Sequence, residues 1–336
     1  LILMAFGMLI GFGANSTISI ALGQKRDEYA EQVLGNAFAI LLGGGILIAA
    51  IGEVFAEPLL RLFGASEEIL PEAASYIRII LAGAPINAIG FGMNNFIRGE
   101  GNPKYAMGSM LIGAGVNIIL DPIMIFWFKW GVAGAAIATI IGQALSCAWV
   151  LSYFLSRKSH LRFRLKNLRL AGQIVVRIVT VGSAPFFLQI AHSVTTGLVN
   201  NQLQIHGGDL ALSVMGILYS ITTVFMMPIF GLNQGAQPII GYNYGAGKYR
   251  RVRTTVALSA AAATAIILIG WTLSRLAPAF LISLFNRGNT DMMEMGLHAI
   301  KIYLMLWPII GLQVITSGYF QDRKSTRLNS SHVSES

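Results

Sequence analysis

Charged side chains are scarce in this chain: they make up 12% of its 336 residues, where an ordinary soluble domain carries about a quarter. That shortage excludes a water-covered globular surface. The single cysteine, Cys147, cannot form an internal disulfide. Acidic residues number 15 against 24 lysines and arginines, and the apolar runs hold a single well-embedded acid and no histidine cluster. Hydrolytic or metal chemistry would need paired acids or a histidine cluster in the spans. No G-x-x-x-x-G-K-[ST] loop occurs, so ATP is not the evident energy source.

What the chain does have is apolar length. Hydrophobic residues make up 54% of it and fall in nine stretches, approximately 1–22, 33–57, 76–97, 105–128, 131–156, 174–200, 209–233, 251–276 and 292–318. A bilayer crossing needs roughly 20 such residues. The 37 glycines often lie inside the runs, as in Gly43-Gly44-Gly45, where small residues let membrane helices approach closely. The expected fold class is an all-α polytopic membrane protein with nine transmembrane helices.

The net charge of +9 is distributed unevenly. Fifteen lysines and arginines, from Lys25 and Arg26 through the 157–169 run to Arg250, Arg251 and Arg253, lie in or beside the breaks after the first, third, fifth and seventh stretches. Only six (Arg61, Arg78, Lys129, Arg275, Arg287 and Lys301) belong to the other side. The basic side is normally cytoplasmic. The charge is therefore a topology signal, and no nucleic-acid partner is expected.

The chain also repeats itself. At a spacing of 222 residues Leu59-Leu60-Arg61-Leu62-Phe63 matches Leu281-Ile282-Ser283-Leu284-Phe285, and Gly13 and Gly23 match Gly235 and Gly245. With one residue of slip, Pro85 falls on Pro308, two prolines that suit symmetric bending points. Equivalent helices run in the same direction, which is a parallel repeat. The repeat predicts twelve helices in two six-helix bundles, one preceding Leu1 and two following the present chain. The expected domains are 1–156 as an N-terminal lobe lacking its first helix, 157–173 as a basic cytoplasmic linker, and 174–321 as a C-terminal lobe lacking its last two helices. Residues 322–336 break the apolar pattern and resemble the translation of a sequencing adapter, a non-native tail.

Four stretches resemble one family. They are Leu22-Gly23-Gln24, the run from Asn95 to Pro103 (NFIRGEGNP), the run from Asn117 to Pro122 (NIILDP), and the long run from Gly231 to Gly245 (GLNQGAQPIIGYNYG). Together they are similar to the multidrug and toxic compound extrusion family, in particular its bacterial multidrug-exporter branch. The resemblance implies a monomeric inner-membrane exporter of two six-helix lobes around a V-shaped cavity. Such an exporter exchanges H+ or Na+ for organic, often cationic, drugs or metabolites, and it needs no cofactor. Its partners are small organic substrates and membrane lipids. Two other readings compete: a flippase for lipid-linked saccharides, which would favour a strongly cationic cavity, and a membrane-embedded enzyme.

Asp121 is the leading candidate for ion coupling, because a carboxylate at the bilayer centre costs roughly 2.5–3.5 kcal/mol and persists where it has work to do. A competing reading makes Asp121 the N-cap of a helix restarting at Pro122. Asn117, four residues earlier, shares its helical face. By the resemblance Asn117, Asn94 and Thr139 surround the carboxylate, with a further acid expected from the absent first helix. Interhelical hydrogen bonding alone is the plainer role for these three. The sixth stretch carries a polar stripe, Gln189, His192, Ser193, Thr196 and Asn200, at three- and four-residue spacing. Gln189, His192, Thr196 and Asn200, with Met226, are candidate substrate contacts, His192 being a candidate proton sensor as well.

Overall fold

The computed structural model describes residues 2–62, 70–156, 158–286, 288–310 and 313–316. The tail 322–336 lies outside them. Among the described residues the chain is helical, with no strand. The helices are α1 (Ile2–Gly23), α2 (Asp27–Leu62), α3 (Leu70–Ala82), α4 (Ala84–Gly99), α5 (Pro103–Pro122), α6 (Gly131–Leu155), α7 (Gly172–Gly245), α8 (Tyr249–Leu276), α9 (Pro278–Ser283) and α10 (Thr290–Tyr303).

Among the described residues six helices are long and apolar enough to cross a membrane, or up to eight spans if each of two bent pairs counts as one, against the nine expected. At about 1.5 Å per residue, the 74 residues of α7 would run far beyond a bilayer as one rod. Gly208 interrupts it, with φ 61° and ψ −161°, a conformation that glycine reaches without a side-chain clash. Its two parts match the separate stretches read at 174–200 and 209–233.

The bent pairs explain the two matched prolines. The α3–α4 pair bends by 52° at Gly83, and Pro85 occupies the first turn of α4, where a missing N–H leaves no bond unmade. The pair beginning with α10 bends by 47°, and its turn at 304–306 also lies just before a proline, Pro308.

Contacts divide the chain into two compact units, Leu1–Phe186 and Phe187–Arg327. The division falls inside α7 because the first turns of α7 pack on α1. Gly13 of α1 faces the carbonyl of Ile178, and Gly182 of α7 faces that of Leu9, so a Cβ at either glycine would overlap backbone. Backbones this close give dispersion contact in a medium that offers no hydrophobic drive for association. The core of unit 1 gathers Ile10, Ile18, Leu34, Met93, Phe96, Val150 and Tyr153 from α1, α2, α4 and α6. In unit 2, Ile217, Ile221, Ile267, Ile282, Ile300 and Trp307 form a separate core.

The basic linker is an ordered strap across the ends of the unit 1 helices, fixed by three polar side chains. Glu100, between α4 and α5, accepts hydrogen bonds from Tyr153 Oη (2.9 Å), Ser159 Oγ (2.7 Å) and the N–H groups of His160 and Leu161 (3.1 and 3.4 Å). Burial nevertheless pushes the Glu100 carboxyl above the usual carboxylate range, against the pull of those donors. Glu31 of α2 accepts from the Arg162 N–H at 3.1 Å and pairs with the Arg164 guanidinium at 3.0 Å. Asn36 of α2 donates to the carbonyls of Asn167 and Arg169 and accepts the Ala171 N–H at 2.7 Å. These side chains take up several of the strap's backbone groups, and a short 3-10 turn, Leu165–Leu168, takes up another. At the far end of α2, Glu53 and Glu57 are exposed and pair with Arg78 of α3 at 3.9 and 2.7 Å, in keeping with an interfacial place for Glu53.

Candidate functional site

Asp121 lies one residue before the end of α5, half-buried, with no break in the helix at its position. The N-cap reading fails here: the first residues after α5 are a π-helical turn, Ile123–Trp127, with no side-chain cap. Pro122 has no N–H to give the carbonyl of Ile118, four residues back, and the chain widens immediately beyond it. Phe128 N–H then reaches the Ile123 carbonyl, five residues back, at 3.0 Å.

Three of the expected residues form a linked polar chain across α5 and α6. Asn117 Nδ2 donates to Asp121 Oδ1 at 3.2 Å and lies 3.3 Å from Thr139 Oγ1 as a second acceptor. Thr139 Oγ1 in turn donates to the Ala135 carbonyl at 2.9 Å, which leaves its lone pairs directed at Asn117. Gly142 lets the two helices close at this level, its α-carbon facing the Gly113 carbonyl and Asn117. Among the described residues no lysine, arginine or histidine pairs with Asp121, and its second oxygen has no protein partner. The site is thus a carboxylate supported by neutral oxygen- and nitrogen-bearing side chains and lacking a fixed countercharge. No group of three or more His, Cys, Asp or Glu residues suited to a metal ion occurs among the described residues.

Asn94 is not part of this chain. It is buried and donates to the Ala106 carbonyl and to Ser109, while Arg98 donates to its oxygen at 2.7 Å. Ser109 precedes Asp121 by twelve residues on α5, roughly 18 Å along the axis. Asn94 therefore joins the start of α5 to α4 and keeps the buried Arg98 satisfied.

In the first half of α7, Gln189, Ser193, Thr196 and Asn200 lie on a half-buried face, whereas His192 is exposed beside it. Ser193 returns its hydroxyl to the Gln189 carbonyl. Asn200 Oδ1 is buried with no partner among the described residues, an acceptor that calls for water or a ligand. Met226 is half-buried against the core of unit 2. None of these lines the larger cavity of unit 2. That cavity holds about 800 Å³ between the second half of α7 and α10, among Met215, Asp291, Glu294, His298 and Tyr303.

A chain of long apolar helices, with two helix pairs bent beside a proline, has the form of a multi-pass membrane protein. Sequence comparison decides which kind. The model of the family described as MatE matches residues 1–123 and 185–329. The chain belongs to the MatE family. It is a multi-pass membrane transporter of the multidrug-efflux class and not an enzyme. Among curated relatives of this MatE chain, the multidrug export protein MepA of Staphylococcus haemolyticus is 29% identical over 322 residues, covering 95% of the chain and 70% of the relative. MepA of Staphylococcus aureus reaches 32% identity over 252 residues, covering 74% and 55%. A multidrug resistance MATE transporter of the MOP superfamily, solved outward-facing, superposes with a TM-score of 0.89 at 25% identity, covering 96% of this chain and 73% of that one. A MOP superfamily transporter from Pyrococcus furiosus gives a TM-score of 0.86 at 25% identity, with the same coverage.

Proposed function

We propose that this MatE chain is a secondary active exporter that exchanges H+ or Na+ for organic, often cationic, drugs or toxic metabolites by alternating access. The observation that carries the proposal is the Asp121–Asn117–Thr139 chain. An ionised carboxylate without a fixed countercharge is costly within hydrocarbon, so Asp121 favours whichever state supplies a proton or a small cation. The open oxygen of Asp121, with the oxygens of Asn117 and Thr139, suits a hard cation or a proton equally. Occupied and empty sites then differ by a unit charge, enough to bias two conformations.

The two bends beside Pro85 and Pro308 support a rocking motion of two six-helix lobes related by the repeat, with nine spans in the present chain. Gln189, Thr196 and Asn200 suit substrate contact, and the unpartnered oxygen of Asn200 is the strongest of these. The protein acts as a monomer in a bacterial inner membrane, with the basic loops in the cytoplasm, as the charge asymmetry and the staphylococcal relatives support.

The test is transport of a fluorescent organic cation by the chain reconstituted in liposomes, under separate proton and sodium gradients, with Asp121→Asn for comparison. Loss of gradient-driven uptake in the variant assigns coupling to Asp121 and the effective gradient names the ion. Undiminished transport by the variant would remove Asp121 from the mechanism.

A further inference from the structure

The strap between α6 and α7 has two faces, and among the described residues the inner one makes most of its contacts within the protein. Leu161 and Asn167 are buried, Phe163 packs edge-on against Phe38 with ring centroids 5.0 Å apart, and Arg164 pairs with Glu31. On the outer face Lys158, Arg162, Lys166 and Arg169 are exposed, and so are Leu165 (78%) and Leu170 (57%). No acid occurs from residue 158 to residue 171.

We propose that this outer face binds anionic phospholipid headgroups, with Leu165 and Leu170 entering the interfacial layer of the bilayer. Position supports it. The strap begins just after Leu155, the last residue of α6, whose exposed side carries Leu145, Trp149 and Leu155 itself. Trp149 stacks on Tyr105 with centroids 4.7 Å apart and donates to its carbonyl at 3.2 Å. Tryptophan and tyrosine gather at the level of lipid headgroups. The Lys158 ammonium lies 5.3 Å from the centroid of the Tyr105 ring, so the strap's first cation shares that layer.

Chemistry and rigidity point the same way. A lipid phosphate is an acceptor of charge-assisted hydrogen bonds, which lysine and arginine supply. Solvation by water would suit the four cations but would leave two leucines facing water, whereas the interface accommodates both kinds of side chain. The strap is already ordered by Glu31, Asn36 and Glu100, so binding need not order it further. This inference requires only that the chain spans a membrane. It is independent of which ion or substrate is moved.

The test places the chain in phosphatidylcholine liposomes containing brominated phosphatidylglycerol or, in parallel, brominated phosphatidylcholine. Quenching of Trp149 is obtained by difference from Trp149→Phe. At about fivefold per well-placed cation, a preference for phosphatidylglycerol of fivefold or more is expected, weakening as salt is raised. Replacing Lys158, Arg162, Lys166 and Arg169 together by glutamine should bring the preference within about twofold. Unchanged quenching by brominated phosphatidylcholine would show that this variant has inserted. If it does not insert, the pair Lys166→Gln and Arg169→Gln replaces it and should lower the preference at least about twofold.

Glutamine at Lys248, Arg250, Arg251 and Arg253, a second basic cluster, should leave the preference intact. Absence of any preference, its survival in the strap variant, or its equal loss in the second-cluster variant would overturn the proposal. So would displacement of the lipid by inorganic phosphate, which would indicate a free-phosphate site.

Discussion

The polar residues of α5–α6 and those of the first half of α7 look alike in sequence, polar groups at helical spacing within apolar runs, yet the structure treats them differently. On α5 and α6 each side chain is fixed by the next: Ala135 holds Thr139, Thr139 orients Asn117, and Asn117 meets Asp121. On α7 no two side chains of the stripe are joined among the described residues: Ser193 bonds only to the Gln189 carbonyl, Asn200 Oδ1 is left over and His192 is exposed. A fixed chain around one carboxylate suits a small ion that must be bound in one geometry. A stripe whose side chains do not hold one another suits ligands of varying shape, and the open acceptor of Asn200 is its clearest free group.

The largest expected effect comes from removing the charge at the head of the linked chain. Asp121→Asn should lower gradient-driven uptake at least about tenfold while leaving substrate binding, read by fluorescence anisotropy, nearly unchanged. Equal losses in both would erase the distinction between the two regions. Asn117→Ala comes next. It takes a donor from Asp121 and from Thr139, whose hydroxyl keeps its bond to the Ala135 carbonyl, and a hydrogen bond to a charged group is worth about 1.5–3 kcal/mol. Since about 1.4 kcal/mol is tenfold, a loss of coupled uptake of about tenfold or more is expected, short of that in Asp121→Asn, with an altered dependence on ion concentration.

Asn200→Leu tests the other region. It should weaken substrate binding several-fold yet raise the thermal unfolding midpoint, since a buried acceptor without a partner costs about 1–3 kcal/mol. A lower midpoint would mean that Asn200 has a structural partner and is no open contact. A smaller effect is expected from the strap, where Glu100 provides a pH test. Its folded-state carboxyl is raised, so the folded protein binds more protons than the unfolded chain from about pH 4.3 upward. The corresponding stability is complete below that value and is lost as pH rises through the raised one. In Glu100→Gln this slope of unfolding midpoint against pH should flatten, whatever the overall cost of the lost acceptor. The smallest change is expected for His192→Ala, within about twofold in uptake, because the side chain is exposed beside the stripe.

Several of these features were legible in the residues alone. Apolar length gave an all-helical membrane chain, although six to eight candidate spans are found among the described residues against nine expected, and Pro85 and Pro308 marked both bends, because proline has few comfortable places in a helix. Asn117 and Asp121 were paired correctly by their four-residue spacing. Thr139 was legible only through family resemblance, since no local rule brings residue 139 to residue 117. The same resemblance put Asn94 beside Asp121, although helix rise separates them. The strap was hidden for a different reason. A run of cations between two spans looks the same whether it is solvated or pinned, and the pinning residues, Glu31, Asn36 and Glu100, stand far away in the chain.

That distance has a consequence for how the protein is made. Asn36 finds its partner at Ala171 135 residues later. At a synthesis rate of about 5–20 residues per second, the interval is roughly 7–27 s. During that time α2 has already entered the membrane with an amide at its end lacking its final partners, and Glu31 awaits Arg164 in the same way. Unit 1 therefore closes late, only after the opening of α7 has been synthesised, and a ribosome that stalls within α6 leaves a bundle whose polar cap cannot yet be set in place.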